Sequence, residues 1–191
     1  NKKTKPTSRL KHKIEDNLDV LKTINIKTED KQLEIYINKK AKDKISSFIT
    51  KNKLKKPIIL INTVSNTHPT WPKERFASLS DILIQKYKAN IIFIGVEKDK
   101  QFIDDIITLT TIKPLSLTGK TSIQELFALI QRANLLISID TAAPHIAEAL
   151  KTPAITLFGA GDPKIWGHNS PTSKIIYKNN VCTSCMKSKC K

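Results

Sequence analysis

Glycine is missing where a dinucleotide-binding loop would need it. The first buried-strand pattern, Pro57–Thr63, runs into a loop, and residues 62–70 contain no glycine. A GxGxxG turn lets the backbone approach a pyrophosphate, and none follows this strand. No GxxxxGK[ST] loop is present either, so NAD-type and P-loop readings fare poorly. No apolar run is long enough to span a membrane and no signal peptide is visible, so nothing suggests secretion. Met186 is the sole methionine, so residue 1 is not an initiator, and the expectation is a trimmed chain or part of a longer protein. Cysteine is confined to Cys182, Cys185 and Cys190, a C-x2-C-x4-C cluster. Three thiols are one short of a structural zinc site and an odd number for disulfides. Joined by a fourth ligand such as His168 they could hold zinc, and otherwise they are reduced thiols.

Arginine is also scarce. The formal charge is +16, yet only Arg9, Arg75 and Arg132 are arginines. The excess sits on the flanks: residues 1–56 are net +10, residues 57–163 net zero and residues 164–191 net +6. Lysine without arginine is a weak signature of specific nucleic-acid binding, because arginine is the better bidentate phosphate reader. A solvated, lysine-rich surface accounts for the balance. Peripheral attraction of the flanks to an anionic membrane or an acidic acceptor is the functional alternative.

What the chain does contain is alternation. Residues 1–9 read as a flexible lead-in. Residues 10–56 read as a connecting segment: a helix over 10–24 with one face buried, a short edge strand over 33–37, and a helix over 41–52 with Ile45, Phe48 and Ile49 inward. From Pro57 the pattern becomes strand, helix, strand, helix. Strands are expected over 57–63, 90–94, 113–117, 135–139, 154–158 and 174–177, with helices between the first five. Ser122 and Glu125 form a capping-box pair. This order predicts an α/β Rossmann-like parallel sheet with helices on both faces over 57–178, followed by a cysteine-containing tail over 179–191. Ligands of such sheets bind beyond the carboxyl ends of the strands. Asn62–Ser65, Gly95–Glu97, Thr118-Gly119, Asp140–His145 and Phe158–Asp162 should therefore meet in one crevice.

The strongest local signal is Leu135–Leu150, a buried-strand pattern that turns at Asp140-Thr141-Ala142-Ala143-Pro144 into an alanine-rich helix beginning at His145. A helix N-terminus offers unpaired amides and the positive end of a dipole. Thr141 can cap the helix. Ala142 and Ala143 are small enough to let a phosphate reach their amides, and Pro144 loses nothing in the first turn. Asp140 can accept from sugar hydroxyls and His145 can donate to a phosphate oxygen. A capped helix with a structural histidine explains the same residues. Trp71 and Trp166 lie near the same edge, either to stack on a base or sugar or to close the core.

The segments Leu117-Thr118-Gly119 to Leu126, Ala133-Asn134-Leu135, Asp140-Thr141 with His145, Ala147 and Ala149, and Phe158-Gly159 resemble glycosyltransferase family 9, as does Trp71-Pro72-x-Glu74-Arg75-Phe76. That family includes the ADP-heptose:lipopolysaccharide heptosyltransferases. The resemblance implies the C-terminal, donor-binding half of a GT-B fold. It implies an inverting, metal-independent transfer of a heptose-like sugar from a nucleotide diphosphate, ADP-heptose by preference, to a lipopolysaccharide core or related acceptor, with no cofactor. The location it implies is the cytoplasm, peripheral at the inner membrane. The implied donor site is Asp140, Thr141, Ala142, Ala143 and His145 with Glu97, Thr63, Gly119 and Gly159. Thr141 and His145 would stabilise the leaving group. The family's catalytic aspartate belongs to a preceding acceptor domain, so no base is assigned here. Ala142 replaces the usual glycine and Pro69 the usual lysine before Trp-Pro, with Lys73 or Lys120 as substitute cations. A non-catalytic nucleotide-sugar-binding remnant or subunit, or a basic nucleic-acid-binding domain, are the alternatives.

Overall fold

The computed structural model describes residues 11–64, 71–168 and 170–178. The lead-in over 1–9, Pro69 and the three cysteines lie outside these residues. Six parallel strands form one sheet in the order β3-β2-β1-β4-β5-β6, with β1 Ile58–Asn62, β2 Asn90–Ile94, β3 Leu115–Ser116, β4 Leu135–Ile139, β5 Ala154–Phe158 and β6 Lys174–Tyr177. This is the doubly wound Rossmann-like order, and it reverses between β1 and β4. The helices are α1 Lys13–Lys22, α2 Lys39–Lys51, α3 Lys73–Tyr87, α4 Lys100–Leu109, α5 Ile123–Arg132, α6 Ala142–Ala149 and α7 Pro163–Trp166, with a single 3-10 turn at Glu97–Asp99.

The continuous apolar runs of β1, β2 and β4 exist because both faces of the sheet are covered. Ile58, Leu60, Ile92, Ile94 and Leu136 point to one face, where α2, α5 and α6 supply Ile45, Leu129 and Ala147. Ile59, Ile61, Ile91, Phe93 and Ile137 point to the other, where α3 and α4 supply Phe76, Ile103 and Ile106. The two-residue period of the strand thus builds two cores from one sequence run. Ser122 caps α5 as expected: its hydroxyl accepts from the Glu125 amide at 3.3 Å, and the Glu125 carboxylate accepts from the Ser122 amide at 2.9 Å.

Three local expectations change. Residues 33–37 form no strand. Ile37 is buried, but the extended backbone pairs with a side chain instead of a ladder: Gln124 Nε2 donates to the Tyr36 carbonyl at 3.3 Å and Gln124 Oε1 accepts from the Asn38 amide at 2.9 Å. The alternation recorded one-sided burial without a partner strand. The helix at 10–24 forms over Lys13–Lys22, yet none of its residues is buried. Its apolar stripe lies half exposed. The helix after β4 begins at Ala142, three residues before His145, because Thr141 already caps it.

Candidate functional site

The strand order reverses between β1 and β4, which stay paired as far as Asn62 and Ser138. A cleft of about 700 Å³ opens there. Asn62 at the end of β1 and Val64 after it, Gly95 to Glu97 after β2, Gly119 and Thr121 to Ile123 around the start of α5, and Asp140 to Ala143 after β4 contribute to its walls. Four of the five strand ends expected to converge do so. The segment after β5 does not line the cleft, but it supports it: a Cβ on Gly161 would lie 2.2 Å from Asp140 Oδ2. A side chain at this position would push that carboxylate aside. Gly159, the glycine expected in the site, has open space around its Cβ position and is not part of the wall.

The turn into α6 is held from inside the fold. Thr141 Oγ1 accepts from Asn62 Nδ2 at 3.1 Å and from the Ala143 amide at 3.3 Å. It also lies 3.3 Å from Ser138 Oγ, whose own proton goes to the Ile139 carbonyl at 2.7 Å. With two donors already pointing at Thr141 Oγ1 and the Ser138 proton committed, the Thr141 proton is drawn toward Ser138. Thr141 is therefore a bracing group as well as a wall residue. With the Ala143 N–H engaged and Pro144 having none, the positive end of α6 is presented to the cleft through Ala142.

Glu97 and Gly119 form the second fixed feature. Gly119 has φ of +69° and its amide donates to the Gly95 carbonyl at 2.9 Å. A Cβ there would sit 1.9 Å from Glu97 Oε2. Glycine is thus required twice, for the left-handed backbone and for the approach of the carboxylate. Beneath them the buried Asp99 accepts from the Val96 amide at 3.0 Å and fixes the loop after β2. Val96 and Ile123, both largely exposed, form an apolar lip, and Leu126 and Ile146 continue the wall.

Other expected site residues lie elsewhere. Thr63 is fully buried and outside the cleft lining. The His145 side chain is one-third exposed, with Nδ1 3.9 Å from Glu148 Oε2, and it does not line the cleft. Burial pushes its pKa below the usual imidazole value, against the pull of Glu148 and Asp140. His168 is buried with Nε2 2.9 Å from Thr156 Oγ1, and burial lowers its pKa as well. Trp71 packs edge-on against Phe76 at 5.0 Å and closes the core. Trp166 lies under Lys13, whose Nζ is 5.9 Å from the ring centroid. Of the substitute cations, Lys73 is paired with Asp105 at 2.5 Å and Lys120 points to the Ser116 carbonyl at 3.3 Å; neither lines the cleft. Among the described residues no cluster of His, Cys, Asp and Glu is arranged to hold a metal ion, and no helix is long and apolar enough to cross a membrane.

Asn62 and Gly161 fell within the strand ends expected to converge but were not named as donor-binding residues. Asn62 carried a usable signal, a polar residue closing an otherwise apolar strand run. The contact of Gly161 with Asp140 carried no local signal, because the two are 21 positions apart in the chain and only the fold joins them.

Comparison with known proteins fits this geometry. The model of glycosyltransferase family 9 (heptosyltransferase) matches residues 1–191. Lipopolysaccharide heptosyltransferase 3 of Escherichia coli (strain K12) is 36% identical over 111 residues, which is 57% of this chain and 32% of that protein. The solved structure of a family 9 glycosyl transferase from Veillonella parvula DSM 2008 superposes with a TM-score of 0.81 at 23% identity, over 93% of this chain and 52% of the other. The E. coli ADP-heptose lps heptosyltransferase II superposes with a TM-score of 0.66 at 21% identity, over 75% of this chain and 44% of the other. These two likenesses establish a shared fold. The chain spans 30% to 41% of the length of the curated relatives set beside it. With the family model matching from end to end, the chain belongs to glycosyltransferase family 9.

Proposed function

We propose that this chain supplies the donor site of a heptosyltransferase and binds the nucleotide-diphosphate part of an ADP-heptose-like donor in the cleft between β1 and β4. The observation that carries this reading is the α6 N-terminus, opening at the strand-order reversal with Asp140 beside it. The diphosphate sits at the Ala142 end of the helix, where the dipole favours negative charge. Asp140, held by its packing against Gly161, accepts from sugar hydroxyls. Glu97, fixed over Gly119, lies at the opposite end of the cleft and accepts from ribose hydroxyls. The apolar lip of Val96 and Ile123 covers the base. An ADP-heptose donor is also what the E. coli structural relative's description names.

In an inverting transfer, an acceptor hydroxyl attacks the anomeric carbon as the bond to the diphosphate oxygen breaks. The proton leaves to a base, and the electron pair goes to the leaving nucleoside diphosphate. A helix terminus aimed at that diphosphate stabilises the growing charge. No residue of this chain is assigned as the base. The acceptor in this reading is a lipopolysaccharide core or related glycan.

Calorimetric titration with ADP, GDP and UDP tests the donor site. Tight binding of ADP alone, weakened at least about ten-fold by Glu97→Ala, is expected, since loss of a hydrogen bond to a charged group costs about 1.5–3 kcal/mol. Unchanged affinity in the Glu97→Ala variant, or no preference among the three nucleotides, rejects it.

A further inference from the structure

The first turn of α5 faces two ways. Ile123 and Leu126, three positions apart and so on one side of the helix, line the cleft. Gln124 and Glu125, between them in the chain, bond to the segment that precedes the sheet. The Gln124 side-chain amide donates to the Tyr36 carbonyl at 3.3 Å and accepts from the Asn38 amide at 2.9 Å. Glu125 accepts from Lys44 of α2 at 2.7 Å with one oxygen and from the Ser122 amide at 2.9 Å with the other. Asn38 is the joint of this clasp. Its amide is held by Gln124, while its Oδ1 accepts from the Ala41 amide at 2.8 Å and caps α2. One residue thereby ties the start of α2 to the start of α5.

Forming α5 does not require the two Gln124 bonds. Ser122 and Glu125 already complete its capping box, and Leu129 and Ile130 are fully buried. The clasp adds something else, the placement of the first turn. Ile123 is 59% exposed at the lip of the cleft, so packing alone does little to fix it. On the other side of the clasp, residues 22–32 are all exposed. Apolar anchorage of that segment resumes at Ile35, partly covered, and at Ile37, buried in the layer that holds Leu129 and Ala147. The extended backbone around Tyr36 has no partner strand, and Gln124 stands in for one.

We propose that Gln124 is a positioning residue for the donor site: its clasp on Tyr36 and Asn38 sets the first turn of α5, and with it the Ile123 side of the lip that covers the nucleotide base. The role rests on the donor reading of the cleft. A carboxamide suits it because it is donor and acceptor at once, matching the Tyr36 carbonyl and the amide two residues on. Glutamate keeps only the acceptor and turns a second oxygen toward the Tyr36 carbonyl. Methionine has neither group, yet keeps similar length and helix propensity. The coupling runs both ways: the factor that the clasp adds to nucleotide affinity is the factor that bound nucleotide adds to closure of the clasp.

Calorimetric titration of ADP into the wild-type chain, Gln124→Met and Gln124→Glu, at a temperature where all three are folded, tests it. Affinity is expected to fall at least about five-fold in Gln124→Met, in keeping with two lost hydrogen bonds, and by a smaller factor in Gln124→Glu. Glutamate in a first helical turn favours the helix, so a role in helix stability alone predicts no loss in Gln124→Glu. Hydrogen exchange at the Asn38 amide should slow about five-fold on ADP saturation in the wild-type chain and should not respond in Gln124→Met. Unchanged ADP affinity in Gln124→Met, full affinity in Gln124→Glu, or an Asn38 amide indifferent to ADP each overturns the proposal. Failure of the wild-type chain to bind ADP, GDP or UDP rejects the donor reading instead. Placement of the lip is then read in the free protein, where a shifted Ile123 methyl resonance in Gln124→Met upholds the clasp and an unshifted one overturns it.

Discussion

Helices α1 and α6 are of similar length, ten and eight residues, and each starts with a side chain that accepts from its own backbone. They differ in everything beyond the cap. In α6, Ala143, Pro144 and Ala147 are buried, and the cap residue Thr141 is tied to β1 through Asn62. In α1 no residue is buried. Its cap, His12, takes the Ile14 amide at 3.3 Å on Nδ1 and reaches the Gly167 carbonyl at 2.5 Å through Nε2, which therefore carries the proton. One helix is fixed by packing and then put to use at its N-terminus. The other is held by one polar contact, surface ion pairs and a half-exposed stripe. A cap sets where a helix begins, whereas burial sets how much its loss costs.

The largest effect expected separates the sheet from both helices. Phe93 is fully buried in one core and Leu136 in the other. Phe93→Ala should cost about 3–5 kcal/mol and Leu136→Ala about 2–5 kcal/mol in denaturant unfolding, because each leaves a cavity in a closely packed layer. Similar losses at the two positions support one cooperative unit through both faces. A loss under about 1 kcal/mol at either would show that the corresponding layer is not packed as described.

Across the cleft from α6, in the turn between β3 and α5, Gly119→Ala should cost about 1–2 kcal/mol from the left-handed backbone alone. It should also displace Glu97, whose carboxylate occupies the place of the new methyl. Nucleotide affinity should therefore fall by more than stability does. Asn62→Ala removes one donor from Thr141 and should cost about 1 kcal/mol. Nucleotide affinity should weaken too, although Asn62 Nδ2 is already spent on the fold; unchanged affinity would leave Asn62 purely structural.

Much of this was legible beforehand. The six strands, the Ser122–Glu125 box and the Thr141 cap follow from apolar runs and from the hydroxyls before them, which are local. The sheet's crevice followed from alternation plus the rule for strand carboxyl ends. What could not be read depended on distant partners. Tyr36 and Asn38 bond to Gln124, so an alternating stretch is an extended strap and not a strand. Gly161 touches Asp140, whereas Gly159 of the family motif has open space at its Cβ position. His145 looked like a ligand because of its motif position, but a helix of 3.6 residues per turn carries it toward Glu148 and off the cleft wall.

Acid should act at α6 and at the segment that follows α7. His145 and His168 both have pKa values lowered by burial, and a charged His168 adds to the lowering at His145. The unfolded chain then binds more protons than the folded one from an imidazole's ordinary value of about 6.5 downward. Stability is complete above that pH and declines as pH falls through it toward the lowered folded values. His168→Gln should flatten the decline below about pH 6.5 in thermal melts. An unchanged slope would place the acid sensitivity elsewhere.

The smallest effect is the one that tests the comparison itself. Ile14 and Leu18 lie on the stripe of α1 and are only partly covered. If burial and not helix formation sets the cost, Leu18→Ala should change unfolding by no more than about 0.5 kcal/mol, because it removes little area from water and alanine is the better helix former. His12→Ala should cost about 0.5–2 kcal/mol for a lost cap, appearing as fraying of α1 in amide exchange before any change in the global transition. A loss at Leu18 matching that at Leu136 would mean that α1 is packed in solution against something that its exposed stripe fits, and the contrast between the two helices would then reflect a missing neighbour and not a difference in design.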